Sequence, residues 1–272
     1  VHELATALRN GKVVLFAGAG LSMNLGLPSF GQLIERLAEE LDFDPELFSL
    51  AGDYMSLAEY YMLVKGKIGP LRSWMDNKWH SESVDISESR IHQAITELNF
   101  PVIYTTNYDR WIERSFDHWR KSYHKITNVS DLASAGEGTQ IVKFHGDFDD
   151  DNSIILSEST FFERMSFESP LDIKLRSDIL GKSVLFIGYS LTDINLRYLM
   201  FRLQKQWERE GYVESRPNSY IFLTQPSIVQ ERILRSRGIE PIIAGTDDPK
   251  TALSEFLTDL MAEAYGKSLP VV

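Results

Sequence analysis

Cysteine is absent from all 272 residues. That absence excludes disulfides, thiol nucleophiles and every zinc site built on cysteine. Positive charge is also scarce: 28 Lys and Arg stand against 39 Asp and Glu, a formal charge of −11. A surface of that sign repels a polyanion, so nucleic acid is not expected as a direct ligand. A small anionic ligand held by backbone dipoles stays open. No stretch of eighteen apolar residues occurs, so no membrane span is expected. The first residues carry no charged-then-apolar leader pattern, and the expectation is a cytoplasmic protein. The chain opens on Val1, which leaves room for a longer parent.

What is present reads as an ordinary globular composition, long enough to bury a sizeable core. Short runs rich in Val, Ile and Phe recur at Lys12–Phe16, Pro101–Tyr104, Ile141–Phe144, Val184–Ile187, Tyr220–Leu223 and Pro241–Ile243. Most are continuously apolar, the pattern of strands covered on both faces in a parallel sheet. Between them lie helical faces such as Leu33, Ile34, Leu37, Ala38 and Leu41, Leu196–Trp207, and Leu253–Met261. This alternation predicts a single α/β domain over 1–272, with a doubly wound Rossmann-like parallel sheet whose ligands sit at the C-terminal strand ends. One stretch breaks the alternation. From Asp42 to Ser89 only helical fragments occur, Leu57–Val64 and Ile68–Trp74 among them, and a small helical module inserted between the first two strands is expected. Ser134–Gly138 reads as a loop.

Directly behind the first apolar run stands Phe16-Ala17-Gly18-Ala19-Gly20-Leu21-Ser22. Glycines at a strand-to-helix turn let backbone N–H groups approach a phosphate, although a tight turn alone explains them as well. The hydride-transfer fingerprint fails, because its third glycine is Met23 and no acidic residue closes a second strand about twenty residues on. Gly181-Lys182-Ser183 imitates the end of a P-loop, but its earlier glycine is Arg176 and it leads into a strand. Asp147, Asp149, Asp151, Ser153 and Glu158 take the spacing of a calcium loop, with Asn152 where glycine belongs, and a solvated acidic loop is the expected reading.

Three further polar clusters follow candidate strands directly: Thr105–Asp109, His145-Gly146-Asp147 and Gly188–Asp193. In a parallel sheet all of them gather on one edge with Gly18-Ala19-Gly20. Taken in order, Gly18-Ala19-Gly20-x-Ser22, Gly26-Leu27-Pro28-x-Phe30, Thr106-Asn107-x-Asp109, His145-Gly146 and Gly188-x-Ser190 resemble the sirtuin NAD-binding core over nearly the whole chain. Ser219–Gln225 and Ala244-Gly245-Thr246 resemble the later strand ends that hold the adenosine half in that family. The departures matter too. Sirtuin deacylases carry four zinc-binding cysteines after the histidine, whereas here eight residues separate His145 from Ile154 and none is cysteine. The Phe-Gly-Glu segment of deacylases is replaced by Leu156-Ser157-Glu158. Gly-Leu-Pro-Ser-Phe and Gly188-Tyr189-Ser190-Leu191-Thr192-Asp193-x-Asn195 resemble the sirtuin-like domains of bacterial anti-phage systems, which destroy NAD.

The resemblance implies an NAD glycohydrolase that releases nicotinamide and ADP-ribose, with NAD as substrate, no zinc, and a gated role in antiviral defence. It assigns catalysis to Asn107 and His145 and NAD contacts to Gly18, Ala19, Gly20, Ser22, Phe30, Asp109, Gly188 and Ser190. The chemistry suits these types: an amide both donates and accepts, and imidazole exchanges a proton near neutral pH. Asp109 reads equally as a helix cap, and Phe30 as core. A homo-oligomer and a HerA-type ATPase partner are further expectations. An NAD-dependent deacylase or ADP-ribosyltransferase, and a non-catalytic NAD or ADP-ribose sensor, are the alternatives.

Overall fold

The computed structural model describes residues 1–28, 30–165, 168–189 and 194–268. Its centre is a seven-stranded sheet: β1 (Val13–Ala17), β2 (Val102–Thr105), β3 (Tyr123–Ile126), β4 (Thr139–Lys143), β5 (Ser183–Ile187), β6 (Ser219–Leu223) and β7 (Ile239–Ile243). The strands lie in the order β3-β4-β2-β1-β5-β6-β7, and every pair is parallel. Each of the six expected strands is present, shifted by no more than two residues at an end. The seventh, β3, carries Tyr-His-Lys-Ile on the sheet edge and is mostly half-exposed, so it lacks the apolar run that marks the others.

Side chains alternate across β1. Val13, Leu15 and Ala17 enter one core with Ile103, Ile141 and Leu185, while Val14 and Phe16 enter the other with Val102, Tyr104, Val142 and Phe186. The first core is closed by α1 (His2–Arg9) and by α14 near the C-terminus (Pro249–Tyr265), which contributes Leu253, Leu257 and Leu260. Layers on both faces explain why these strands are apolar throughout.

Between β1 and β2 run α2 (Ala19–Met23), α3 (Phe30–Glu40), α4 (Pro45–Leu50), α5 (Tyr54–Lys65), α6 (Gly69–Trp79) and α7 (Arg90–Glu97), and no strand is found there among the described residues. Their starts follow from composition. Asp44 precedes Pro45 and accepts from the N–H groups of Glu46 and Leu47; Asp53 and Ser89 cap α5 and α7 in the same way. A third core joins Leu33 and Leu37 of α3 to Phe48, Leu57, Tyr61, Leu71 and Met75, so α3 packs with the stretch 42–89. This core is completed by Tyr108, Phe148, Ile154 and Leu156 from the loops after β2 and β4.

The rest of the chain alternates: α8 (Trp111–His118) after β2, α9 (Val129–Ser134) after β3, α10 (Glu158–Met165) and α11 (Pro170–Leu180) after β4, α12 (Ile194–Glu210) after β5, and α13 (Ile228–Ser236) after β6. No helix among the described residues is long and apolar enough to cross a membrane.

Candidate active site

From β1 the chain goes first to β2 and β4 on one side, then to β5 on the other, so the crevice beyond β1 and β5 is the switch point where open α/β sheets bind ligands. There three glycines meet. The Gly20 N–H donates to the Gly188 carbonyl at 2.9 Å, and the Gly18 N–H donates to that of Ile187 at 2.8 Å. A Cβ on Gly20 would lie 2.8 Å from Gly188 Cα; one on Gly18 would lie 2.6 Å from the Gly188 oxygen. The glycines are therefore required by each other. Two of the donors expected to face a pyrophosphate are spent across β1 and β5, which leaves Ala19, the first residue of α2, to offer its N–H.

Beside this turn a cavity of about 1210 Å³ opens, large enough for a dinucleotide. Ala19, Gly20 and Gly188 line it at the switch point, and Leu223, Thr224 and Gln225 line it at the tip of β6. The 244–246 segment does not line it, and neither do Ser22, Asn107, Asp109 and His145, which are buried on the β2 and β4 side.

Three of those buried residues, Ser22, Asn107 and Asp109, form a hydrogen-bonded group. The Asn107 amide nitrogen donates to the Gly18 carbonyl at 3.0 Å and to Ser22 Oγ at 2.8 Å. Because a carbonyl only accepts, this pairing fixes which end of the amide is nitrogen. Both amide hydrogens are taken, so Oδ1 is the end left for a ligand. Ser22 Oγ passes its own hydrogen to Asp109 Oδ2 at 2.6 Å and has none for a phosphate. Asp109 Oδ1 accepts from the Trp111 N–H at 3.0 Å at the start of α8. Asp109 thus serves the start of α8 with one oxygen and takes the Ser22 hydrogen with the other. Thr105 fastens the base of the turn, donating from Oγ1 to the Ala17 carbonyl and accepting from the Asn107 N–H.

His145 stands two residues past Lys143, and Lys143 pairs with Thr105, two residues before Asn107. The amide and the imidazole thus occupy equivalent places at adjacent strand tips. The imidazole lies between Phe144, with centroids 5.9 Å apart, and Phe161 of α10 at 5.4 Å, edge to face. Burial, reinforced by the positive Arg164, pushes its pKa down to about 3, so it is neutral at physiological pH. It makes no side-chain hydrogen bond among the described residues. Ser190 lies outside the described residues, as does the side chain of Phe30, the first residue of α3.

The acidic loop uses its carboxylates internally. Asp149 is clasped by Lys125 and by Arg110, the latter at 2.7 Å, and although burial opposes it, these cations hold its pKa well below the usual range. Asp151 pairs with Arg72 at 2.7 Å, and Asp147 meets Lys125 at 3.4 Å. Among the described residues no group of three or more potential ligands could hold a metal ion.

Two charged residues here have no counterpart in the expected site: Lys143, fully buried at the end of β4, and Glu113, buried on α8, 3.1 Å apart. The only sequence signal was a lysine inside the apolar run Ile141-Val142-Lys143-Phe144.

Residues 101–242 match the family model of the SIR2-like domain. NAD(+) hydrolase ThsA of Bacillus cereus (strain MSX-D12) is 32% identical over 214 residues, covering 77% of this chain and 44% of the relative. The protein of the same name from Enterococcus faecium is 32% identical over 206 residues, 74% of this chain and 41% of its own. Defense-associated sirtuin 2 of Bacillus subtilis is 27% identical over 241 residues, 86% of this chain and 23% of its own. The chain thus spans less than half the length of these curated relatives. With a family match across more than half of its own length, and the glycine turn, Asn107 and His145 at neighbouring strand tips, the chain belongs to the SIR2-like domain family.

Proposed function

We propose that this protein hydrolyses the N-glycosidic bond of NAD, releasing nicotinamide and ADP-ribose, as a gated effector of antiviral defence. The observation that carries the reading is the Asn107 amide, oriented by Gly18 and Ser22 at the tip of β2, with a neutral imidazole in register on β4. The printed names of the relatives point the same way. In this reading the adenosine half occupies the cavity toward Thr224 and Gln225, and the pyrophosphate crosses the glycine turn. The nicotinamide ribose reaches the β2 and β4 tips.

The pyridinium leaves as neutral nicotinamide, so the site needs no strong acid. It has to stabilise an oxocarbenium-like carbon and deliver water to it. Asn107 Oδ1 accepts a hydrogen bond from the water or a ribose hydroxyl, and the neutral His145 accepts one from the attacking oxygen, whose proton passes on to solvent as oxygen bonds to carbon. Hydrolysis, in preference to deacylation, is supported by the chain after His145. Asp147 and Asp150 form a bridge, and Gly146, with φ +99°, packs on Ser153, so the eight residues before Ile154 fold tightly on themselves. That leaves no room there for a zinc module.

A homo-oligomer, a HerA-type ATPase partner and a cytoplasmic location belong to the same proposal. Exposed Leu47, Leu50 and Leu63 on α4 and α5 supply apolar surface for association.

The test is incubation of the purified protein with NAD, alone and with its activating partner, followed by chromatography of the products. Nicotinamide and ADP-ribose are expected in equal amounts. Asn107→Ala and His145→Ala should each lower kcat by about 100-fold or more while the far-UV circular dichroism is unchanged. Wild-type turnover in either variant would remove that residue from the site.

A further inference from the structure

Lys143 has no exposed side-chain surface, and it closes a strand whose other residues are apolar or half-buried. Transfer of an ammonium into such a place costs several kcal/mol unless its surroundings are arranged around it. They are. The ammonium donates to the carbonyl oxygens of Asp109 and Tyr108, the latter at 3.4 Å. It also lies 3.1 Å from Glu113 Oε1 and 3.5 Å from Asp147 Oδ2. Tyr108 and Asp109 directly follow Asn107, and Asp147 is two residues beyond His145.

From these contacts we infer that Lys143 is a positioning residue, a single buried cation that fixes the Asn107 turn and the His145 turn relative to each other. The two turns lie on different strands, and the register of β2 with β4 ends at Thr105 and Lys143. Past the Phe144 N–H, which donates to the Thr105 carbonyl at 2.8 Å, no backbone hydrogen bond among the described residues links the two turns. The ammonium supplies the buried tie, two carbonyls on one turn and a carboxylate on the other, beneath the more exposed Arg110–Asp149 pair. Glu113 contributes the second negative charge, and both carboxylates, Asp147 and Glu113, meet the ammonium as ionic contacts without aligned hydrogen-bond geometry. An apolar side chain of the same length would fill the space and drop both ties. Phe144, the next residue, stacks on His145, so a shift of this strand end also moves the imidazole.

The inference rests on the proposed NAD hydrolysis, and the experiment separates the two. Steady-state NAD cleavage is measured under conditions where the wild type turns over; a wild type without NAD cleavage counts against the functional reading and not against the tie. Lys143→Met alone strands two buried carboxylates and can fail to fold, so Lys143→Met/Glu113→Gln is measured beside it. Asp147→Asn is measured as a third variant that keeps the ammonium and weakens its link to the histidine turn, with Lys125→Met beside it to subtract the loss of the Lys125 contact of Asp147. Misplacing reacting groups by about an ångström lowers rates by about 100-fold. The folded Lys143 variants should therefore lose about 30- to 100-fold in kcat, and Asp147→Asn about 10-fold, with KM for NAD within about threefold, because the cavity that holds the adenosine half lies elsewhere. A lysine that served stability alone would lower the melting temperature and leave kcat per folded molecule unchanged. Wild-type kcat in Asp147→Asn, or in whichever Lys143 variant folds, overturns the inference.

Discussion

At the scale of single residues, burial turns three histidines into a pH-dependent liability. The imidazole of His145 is pushed down to about 3 from an ordinary 6.5 by burial and by Arg164. His92, on α7, is pushed to about 4 by burial. His80 shifts in the same direction, chiefly by burial and against the pull of Asp76. In each case the unfolded chain binds a proton that the native state refuses once the pH drops below 6.5. Stability is therefore intact above that value and declines as the pH falls toward 4, at up to about 1.4 kcal/mol per pH unit for each fully shifted histidine. Glu113 works in the opposite sense above its ordinary 4.5, because burial raises its pKa and the native state keeps a proton there longer. The carboxylates held low by cations, Asp76 and Asp149, add their own loss only below 4. Urea unfolding at pH 4.5, 5.5 and 6.5 should show the decline, and His92→Gln should reduce its slope. A slope identical to the wild type in that variant would mean that His92 is protonated in the native state.

At the scale of elements, what the chain announces best is whatever is covered on both faces. Lys12–Phe16 and Val184–Ile187 read as strands because nearly every residue in them is apolar, and the strands found there, β1 and β5, pair residue for residue from Val13 with Ser183 to Ala17 with Ile187. Tyr123–Ile126 does not announce itself, because an edge strand has half its surface in water and a polar sequence suffices. The glycine turn was legible as a special place, but its physical reason lay in tertiary contacts. Gly188 has φ +72°, and a Cβ there would stand 2.5 Å from the Leu21 nitrogen and 2.9 Å from the Gly18 oxygen. Gly188→Ala therefore combines left-handed strain with a backbone clash, and a loss of about 3 kcal/mol or more is expected. Gly181, at the end of α11, has φ −116° and open space around its Cα. Gly181→Ala should change stability by less than about 1 kcal/mol, with stabilisation the favoured sign. Equilibrium denaturation of both variants checks the contrast, and equal effects would mean that the β1–β5 contact is looser than described.

At the scale of the whole molecule, the helices between β1 and β2 are not a separate body. The expectation of a module over 42–89 followed from missing strands, but its core could not be read from that stretch alone, since four of its members lie beyond residue 100. The pairing of Lys143 with Glu113 was illegible for the same reason: thirty residues separate them, and Asp147 is the one partner of Lys143 close to it in sequence among the described residues. Trp79 stacks on Tyr108 with centroids 6.1 Å apart and meets Phe148 at 5.6 Å, while its carbonyl accepts from the Trp111 indole at 2.8 Å. Arg110 adds a 2.6 Å ion pair to Asp76, and its N–H donates to His80 Nε2 at 2.8 Å. The helical layer thus folds against the loops that carry Asn107 and His145, and removing a shared ring should weaken both together. Phe148→Ala deletes such a ring, and a loss of about 3–5 kcal/mol is expected. With Trp119 and Trp207 replaced by Phe, indole fluorescence reports the layer through Trp74 and Trp79 and its contact on α8 through Trp111, and far-UV circular dichroism reports the whole chain. If the two are one cooperative unit, both probes shift to a lower midpoint in Phe148→Ala and still coincide. A fluorescence transition that moves ahead of the dichroism would instead show that the helical layer melts alone, and that the loops bearing the amide and the imidazole hold their shape without it.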